Sequence, residues 1–549
     1  LEGGHAVDST FPRPARRGED DGDDGEGSRS AGGDARDLPR SMLWIVGLAL
    51  ILRAAIFPFA DNKHGDSPMR ALIAERLNLD PASAADPRTY CQFGPLHTTL
   101  MRGFLALDPV APRSSRYLSL LAGLAVFLPF WRLARRLVPA RAAALAALAL
   151  ALSPLHLQAS TTAASESLYL LLMVACLERL LTALERPRAL ATYAVAGLLA
   201  SLAAVTRYDA WLAFPMIVAA AWLFTRDRRR DPAPGAATAG PGAASRLPGL
   251  LIFSAVAALL PLAWVAWSAR ATDDPIFFAH YIVSDHAGLA GAVNRRCGPL
   301  LARARQLGIW SVAFVAAMGL PLMLGAAVAL RRFRALPPAS RIVVVAALAP
   351  PALYLAKGLL FLSFEPLPRF ALIPGTLLLP LGAQALLRRW TSARARLLVA
   401  AASLLFSALA LAAAWSGPRR IWSGAESLGP ITRLDAEDRE LASYLSAHRR
   451  PGDRVFIEPV EFSDIVIAAA ARVPAELTVS LAITRSADRT VAETLAHTGA
   501  RWLAAYDGVF GGAGDVGAPE PWARRLAADW PARSLRFGHW KLIRGGAGD

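Results

Sequence analysis

The sequence predicts a polytopic α-helical membrane protein that ends in a small soluble α/β domain. Composition, block pattern and charge placement carry that reading. Hydrophobic residues make up 54% of the 549-residue chain, and the mean hydropathy is +0.36. The apolar residues fall in repeated blocks close to the ~20 residues that span a bilayer. The net charge of +16 sits mostly between those blocks. Such placement suits cytosolic turns and lipid phosphates and argues against a nucleic-acid groove. Three cysteines without metal-type Cys/His spacing give no metal motif.

Residues 1–40 are polar and Gly-rich, acidic from Glu19 to Glu26, and read as a disordered cytosolic tail. The first apolar run lies too far in for a cleavable signal peptide. Residues 41–416 form the expected membrane domain. Apolar runs near 42–59, 116–137, 141–157, 163–183, 190–206, 209–225, 248–268, 309–330, 341–362, 370–388 and 397–415 predict about eleven spans. Every second run exits into a short basic turn, as with Arg132, Arg135 and Arg136, or Arg331, Arg332 and Arg334. By the positive-inside rule these turns are cytosolic. The loops 60–115 and 269–308 then lie outside. Residues 227–247 contain the Pro-, Gly- and Ala-rich stretch of a flexible cytosolic linker. Residues 417–549 alternate short β-type runs (454–457, 501–504) with helical ones (435–448, 488–498). That alternation predicts an extracytoplasmic α/β domain with a partly parallel sheet.

The first outside loop holds His64-Gly-Asp66-Ser67-Pro68. Pro68 suits the first turn of a helix capped by Ser67 or Asp66. Met69, Leu72, Ile73, Arg76 and Leu77 then share one face of an interfacial helix. A second helix is expected over Pro95–Leu107. Read locally, Asp66 is a helix cap or a catalytic base. Ionisable groups at membrane depth are costly and mark function or anchoring. Glu166 opens the fourth span, Arg207 and Asp209 join the fifth and sixth, Lys357 lies in the ninth, and Arg369 precedes the tenth. Their bland readings are a helix-dipole carboxylate, interfacial anchors, a snorkelling lysine and a flank anchor. His280, Asp285 and His286 are spaced too loosely for a metal site and read as a surface loop. Cys176 reads as a packing residue. Cys91 and Cys297, both outside, are a disulfide pair or two free thiols.

Several stretches carry a family resemblance: His64-Gly-Asp66-Ser67, Phe93-Gly-Pro-Leu-His97, Ser153-Pro-Leu-His156 with Ala164-Ser-Glu166-Ser-Leu, Thr206-Arg-Tyr-Asp-Ala-Trp211, and Pro368-Arg-Phe-Ala-Leu-Ile-Pro374. Over residues 42–388 the layout resembles the GT-C superfamily of glycosyltransferases, nearest the protein O-mannosyltransferase and aminoarabinose-transferase types. The resemblance implies a polyprenyl-phosphate sugar donor and a glycan, lipid or protein acceptor. It implies an outward-facing site in the plasma membrane, no cofactor, no metal and inversion at the anomeric carbon. It makes Asp66 the base. Arg207, Lys357 and Arg369 become cations for the leaving phosphate, and Glu166, Asp209 and His64 substrate-binding groups. Ser67 stands where protein O-mannosyltransferases have a second acid, and the Trp-Trp-Asp signature of oligosaccharyltransferases is absent. The rival reading is a transporter or lipid flippase using the same charges as a substrate path.

Overall fold

The computed structural model describes residues 40–60, 66–90, 93–108, 111–186, 188–226, 243–364, 366–390, 392–416, 436–457, 463–473, 477, 499–506 and 534–544. Residues 1–39 of the tail, residues 227–242 of the expected linker, Cys91 and the Cys297 side chain fall outside them, as does the helix expected at 488–498, while 243–247 of that linker open α12 as helix.

Helices α1 (Arg40–Ile56), α2 (Ser67–Leu79), α3 (Pro95–Leu107) and α4 (Ala111–Ser114) come first. Then follow α5 (Tyr117–Ala125), α6 (Phe127–Leu137), α7 (Ala140–Leu152), α8 (Pro154–Thr161), α9 (Glu166–Glu185), α10 (Leu190–Ala204) and α11 (Asp209–Arg226). The membrane part closes with α12 (Ala243–Thr272), α13 (Phe277–Met318), α14 (Leu320–Leu330), α15 (Pro338–Phe361), α16 (Leu372–Arg389) and α17 (Ala393–Ser416).

Each apolar run of the sequence falls on a helix or a bent pair of helices. Among the described residues, five helical stretches are long and apolar enough to cross a bilayer: Tyr117–Leu137, Glu166–Glu185, Arg246–Thr272, Pro338–Phe361 and Pro368–Arg389. Two bent pairs, Ala140–Leu152 with Pro154–Thr161 (55°) and Gly298–Met318 with Leu320–Leu330 (108°), raise the number to seven. Leu190–Ala204, Asp209–Thr225 and Leu397–Ser407 are apolar but shorter. Trp44, Leu262 and Phe361 stand 79%, 64% and 74% exposed, as lipid-facing side chains do. The chain is a helical membrane protein.

Proline accounts for the bend between α7 and α8. Pro154 has no N–H to give to the Leu150 carbonyl, so the ladder breaks there. Fully buried Arg53, at the end of α1, then donates to His156 Nδ1 (2.8 Å) and to the Ala49 carbonyl (3.0 Å). This ties α8 to α1 and sets the path into α9.

One expectation needs correction. Most of the stretch expected as a second outside loop is helical, since α13 begins at Phe277 and is interrupted only at Gly298 (φ 70°), just before Pro299. Its run of alanines (Ala279, Ala287, Ala290, Ala292) favours helix more strongly than its polar residues favour loop.

Beyond α17, α18 (Ala436–His448) and α19 (Ser463–Ala470) accompany β1 (Val455–Ile457), β2 (Trp502–Tyr506), β3 (Leu535–Phe537) and β4 (Trp540–Arg544). The sheet order is β1-β2-β4-β3. β1 runs parallel to β2 with Val455 opposite Trp502, and β4 is antiparallel to both β2 and β3. Gly538 (φ 56°) supplies the left-handed residue of the tight β3–β4 turn. Leu441, Leu445, Val455, Ile467, Trp502 and Trp540 form a separate apolar core. The two indoles are satisfied by carboxylates: Trp540 Nε1 donates to Asp438 (2.8 Å) and Trp502 Nε1 to Asp453 (3.1 Å).

Candidate active site

Four segments far apart in sequence bring their charges together. α2 begins at Asp66, as Pro68 in its first turn predicts. Asp66 occupies the N-cap position, yet its side chain makes no capping bond. The local reading of a capping carboxylate is therefore corrected. Instead Asp66 Oδ2 lies 3.0 Å from Arg369 Nη2, in the 3₁₀ turn Pro368–Ala371. Arg369 Nε lies 3.5 Å from Glu166 Oε1, in the first turn of α9. The same Oε1 accepts from Arg207 Nη1 at 2.6 Å, and Arg207 Nε donates to Asp209 Oδ2 at 2.7 Å. Tyr354, on α15, donates to the other oxygen of Asp209. The result is an alternating chain, Asp66–Arg369–Glu166–Arg207–Asp209–Tyr354. Its ionic side chains are only 4–18% exposed.

Local sequence explains the placement. The α10–α11 turn is closed by Trp211 Nε1 on the Ala204 carbonyl (3.0 Å) and by Thr206 Oγ1 on the Leu202 carbonyl (2.8 Å). The Phe93–His97 segment is bolted to this turn. Leu96 N donates to the Val205 carbonyl (3.1 Å) and the Tyr208 hydroxyl to the Phe93 carbonyl (3.2 Å). Gly94 allows the approach, because a Cβ there would collide with the Val205 carbonyl.

Two members of the site were not singled out from the sequence. Arg70, one turn beyond Asp66, is 3% exposed, stacks on Phe93 at 4.2 Å, and has Nη1 without a hydrogen-bond partner. His97 is fully buried; the Ala164 carbonyl approaches its ring, but neither ring nitrogen has a well-formed hydrogen bond. The i, i+4 spacing of Asp66 and Arg70 was the available signal.

These surroundings fix the charge states. Burial pushes the Asp66 carboxyl up, but Arg369, Arg70 and Arg207 prevail over burial and Glu166 and hold it below the usual carboxylate value. Burial, partly offset by Asp66, pulls Arg70 down to about 10. Burial and nearby Arg70 pull His97 down to about 3, so it is neutral at physiological pH.

Glu166, Arg207, Asp209 and Arg369 are among the residues lining a small, partly open cavity. Tyr169, Met173, Pro350, Ile373 and Pro374 are among the residues of the remaining, largely apolar wall. The structure thus unites Asp66, Glu166, Arg207, Asp209 and Arg369. Lys357 is half-buried on α15, outside that lining and outside the described ion pairs. His64 lies outside the described residues. Among those residues no three His, Cys, Asp or Glu side chains converge as a metal would require, and Asp66, Glu166 and Asp209 each face an arginine.

With this geometry in place, known proteins give it a context. Residues 92–239 match the family model of dolichyl-phosphate-mannose-protein mannosyltransferase. The fold is similar to ArnT of Cupriavidus metallidurans bound to undecaprenyl phosphate, with TM-score 0.59 and 16% identity over 92% of this chain and 98% of that one. The fold is of the GT-C type. A second GT-C structure, the Archaeoglobus fulgidus oligosaccharyltransferase with zinc and sulfate, matches at TM-score 0.50 and 17% identity over 84% of this chain and 67% of that one. The same archaeal enzyme, AglB, with an inhibitory peptide and a dolichol-phosphate matches at TM-score 0.50 and 13% identity, over 85% and 69%. No curated protein sequence matches this chain. The family match spans Phe93–His97, Glu166, Arg207 and Asp209, whereas Asp66 and Arg369 lie outside it.

Proposed function

We propose that the chain is an integral-membrane glycosyltransferase that moves a sugar from a polyprenyl-phosphate donor to an acceptor hydroxyl on the extracytoplasmic side. The cavity carries the reading, because apolar side chains and two arginines, Arg207 and Arg369, line it together. An apolar wall suits a prenyl chain, and guanidinium forks suit the phosphate at its end. Two proteins of the same fold, ArnT and AglB, have been solved with undecaprenyl phosphate and a dolichol-phosphate.

The leaving lipid phosphate departs as a dianion, so it needs cations rather than an acid. Arg207 and Arg369 meet it. The acceptor oxygen attacks the anomeric carbon from the opposite side, and configuration inverts. Its proton passes to Asp66 as general base. Glu166 positions sugar hydroxyls between the two guanidiniums, and Asp209, held by Tyr354, aims Arg207. Lys357, away from this chain of charges, is left to outer headgroups. About eleven spans by length, a cytosolic N-terminus and an outside domain over 417–549 complete the topology. The acceptor is a glycan, lipid or protein.

Asp66→Asn in proteoliposomes supplied with a labelled polyprenyl-phosphate sugar tests the base. Transfer should fall about 10²–10⁴-fold, with donor binding kept. Unchanged transfer would remove Asp66 from the mechanism. Rapid solute flux without transfer would favour the transporter.

A further inference from the structure

We propose that Arg369 is an exchangeable clamp on Asp66, and that a phosphate in the cavity draws it off the carboxylate and so turns the base on. The proposal rests on the glycosyltransferase reading and adds an order of events to it.

The geometry is asymmetric. Arg369 lines the cavity and Asp66 does not, so an anion arriving there meets the guanidinium first. Arg207 is fixed at 2.6 and 2.7 Å by Glu166 and Asp209, and Tyr354 secures Asp209 in turn. Arg369 is held at 3.0 Å by Asp66 and at only 3.5 Å by Glu166, whose Oε1 is already engaged by Arg207. Of the two arginines lining the cavity, Arg369 thus stands farther from these carboxylates than Arg207 does from its own. A phosphate can take its fork in bidentate fashion.

The charged groups facing Asp66 come from every side of the site: Arg369 from the 3₁₀ turn, Arg70 from its own helix, Glu166 from α9 and Arg207 from the α10–α11 turn. When Arg369 turns to phosphate, Asp66 loses its closest cation and keeps buried Arg70, which stacks on Phe93. Glu166 and the new anion then both raise its affinity for a proton. A carboxylate clamped by a guanidinium is a poor base; one released from it is a better one. The unloaded enzyme consequently holds its base in check, and water is not activated before a donor is present.

The cycle balances. The acceptor O–H bond breaks as the new C–O bond forms, and the proton goes to Asp66. The electron pair of the anomeric C–O bond leaves with the phosphate. The dianion holds Arg369 until the lipid phosphate departs. Arg369 then returns to Asp66 and the proton is released to water.

The pH dependence of Asp66 labelling tests the clamp. The full chain in proteoliposomes is treated with dicyclohexylcarbodiimide, which modifies protonated carboxyls, and the Asp66 peptide is read by mass spectrometry. Undecaprenyl phosphate is the probe. Its binding is followed separately by thermal stabilisation, since a ligand of the folded state raises stability by mass action. With the lipid, the labelling midpoint should rise by about one pH unit, roughly a tenfold gain in proton affinity. In Arg369→Gln the midpoint should already be raised, and lipid should move it less than in wild type, by the direct effect of the anion alone. Arg369→Lys, which keeps the charge but not the fork, serves if the glutamine variant does not fold, and should give a smaller lipid response than wild type. A wild-type midpoint that stays put or falls while the lipid stabilises the protein overturns the clamp and leaves the cavity reading standing. Absence of lipid stabilisation overturns the cavity reading, and the clamp with it.

Discussion

Helix α9 has an arginine–carboxylate cluster at each end, and the two are built for different purposes. At its start Glu166 joins Arg207, Arg369, Asp66 and Asp209, from four segments and beside a cavity. Toward its end Glu178 and Glu185 meet Arg136 of α6 at 3.5 and 2.6 Å, and Glu178 meets its neighbour Arg179 at 3.3 Å. Glu178 is 6% exposed, but Arg136, Arg179 and Glu185 are 25%, 43% and 61% exposed. The second cluster is a staple between two adjacent helices, with Arg136 also donating to Thr182 at 2.7 Å. Three of its four ions keep a quarter or more of their surface exposed, so it gives less than a fully buried network would. The first desolvates more of its charge and is assembled from distant parts of the chain. An ion pair in a membrane helix is therefore weak evidence of function by itself. Convergence of remote segments beside an open space is what distinguishes the first cluster.

The same substitution at each end gives the largest expected contrast. Glu166→Gln removes the carboxylate shared by two guanidiniums. Sugar transfer should fall about 10- to 100-fold, equivalent to ~1.4–2.7 kcal/mol of transition-state stabilisation. Glu178→Gln should leave transfer within about twofold and cost ~1 kcal/mol of stability, because its partners are exposed enough to rehydrate. Steady-state transfer and thermal unfolding, measured on both variants, decide the matter. Equal losses of activity would erase the distinction between the two ends.

A smaller effect separates the wall of the site from its surroundings. Gly94→Ala places a methyl against the backbone carbonyl of Val205, which cannot turn aside as a side chain would. Overpacking of that kind costs about 1–3 kcal/mol. It should also shift the Arg207 turn, lowering kcat more than it raises KM. Gly103→Ala lies within α3, the helix that Gly94 precedes, with nothing within 4 Å of the added carbon. It should instead stabilise by about 0.5–1 kcal/mol. If both variants behaved alike, the junction of α3 with the α10–α11 turn would have no part in shaping the site.

The two clusters also show what a linear chain reveals. Helices were legible because apolar runs have the length of spans, and α2 and α3 because Pro68 and Pro95 stand at helix starts. Glu166, Arg207, Asp209 and Arg369 stood out because charge at membrane depth is costly, and Asp66 because it precedes the Pro68 helix in the first outside loop. Their pairing was not legible. Asp66 had a plausible local role as a cap, and only the approach of the Pro368–Ala371 turn gives its carboxylate to Arg369. Lys357 met the same depth criterion but is not among the residues lining the cavity, since depth does not say which side chains of α15 reach it. Arg70 and His97 went unnoticed because one looked like part of a polar helix surface and the other like the end of a motif. In the fold Arg70 stacks on Phe93 and His97 meets the Ala164 carbonyl, just before α9.

The smallest effect concerns a carboxylate in the sheet region that shares one property with Asp66 and lacks the rest. Burial pushes Asp453 up, but the Arg450 N–H (3.0 Å), the Trp502 indole (3.1 Å) and Arg501 (3.5 Å) prevail and hold it below the usual value. No cavity adjoins it among those described, so its depressed pKa should appear as stability and not as catalysis. Because the folded form binds a proton less readily than the unfolded chain, this contribution is complete above the unfolded value of ~3.9. It is lost as pH falls through the lower folded value. Asp453→Asn should therefore be less stable than wild type by ~1 kcal/mol near neutrality. The gap should close as the pH is lowered below about 4. Hydrogen exchange of the β2 peptide, followed in both proteins across that range, measures the gap. A gap that stayed constant into acid would mean that Asp453 titrates like any surface carboxylate. Transfer activity should be the same in both proteins throughout, whereas at Asp66 the corresponding change removes it.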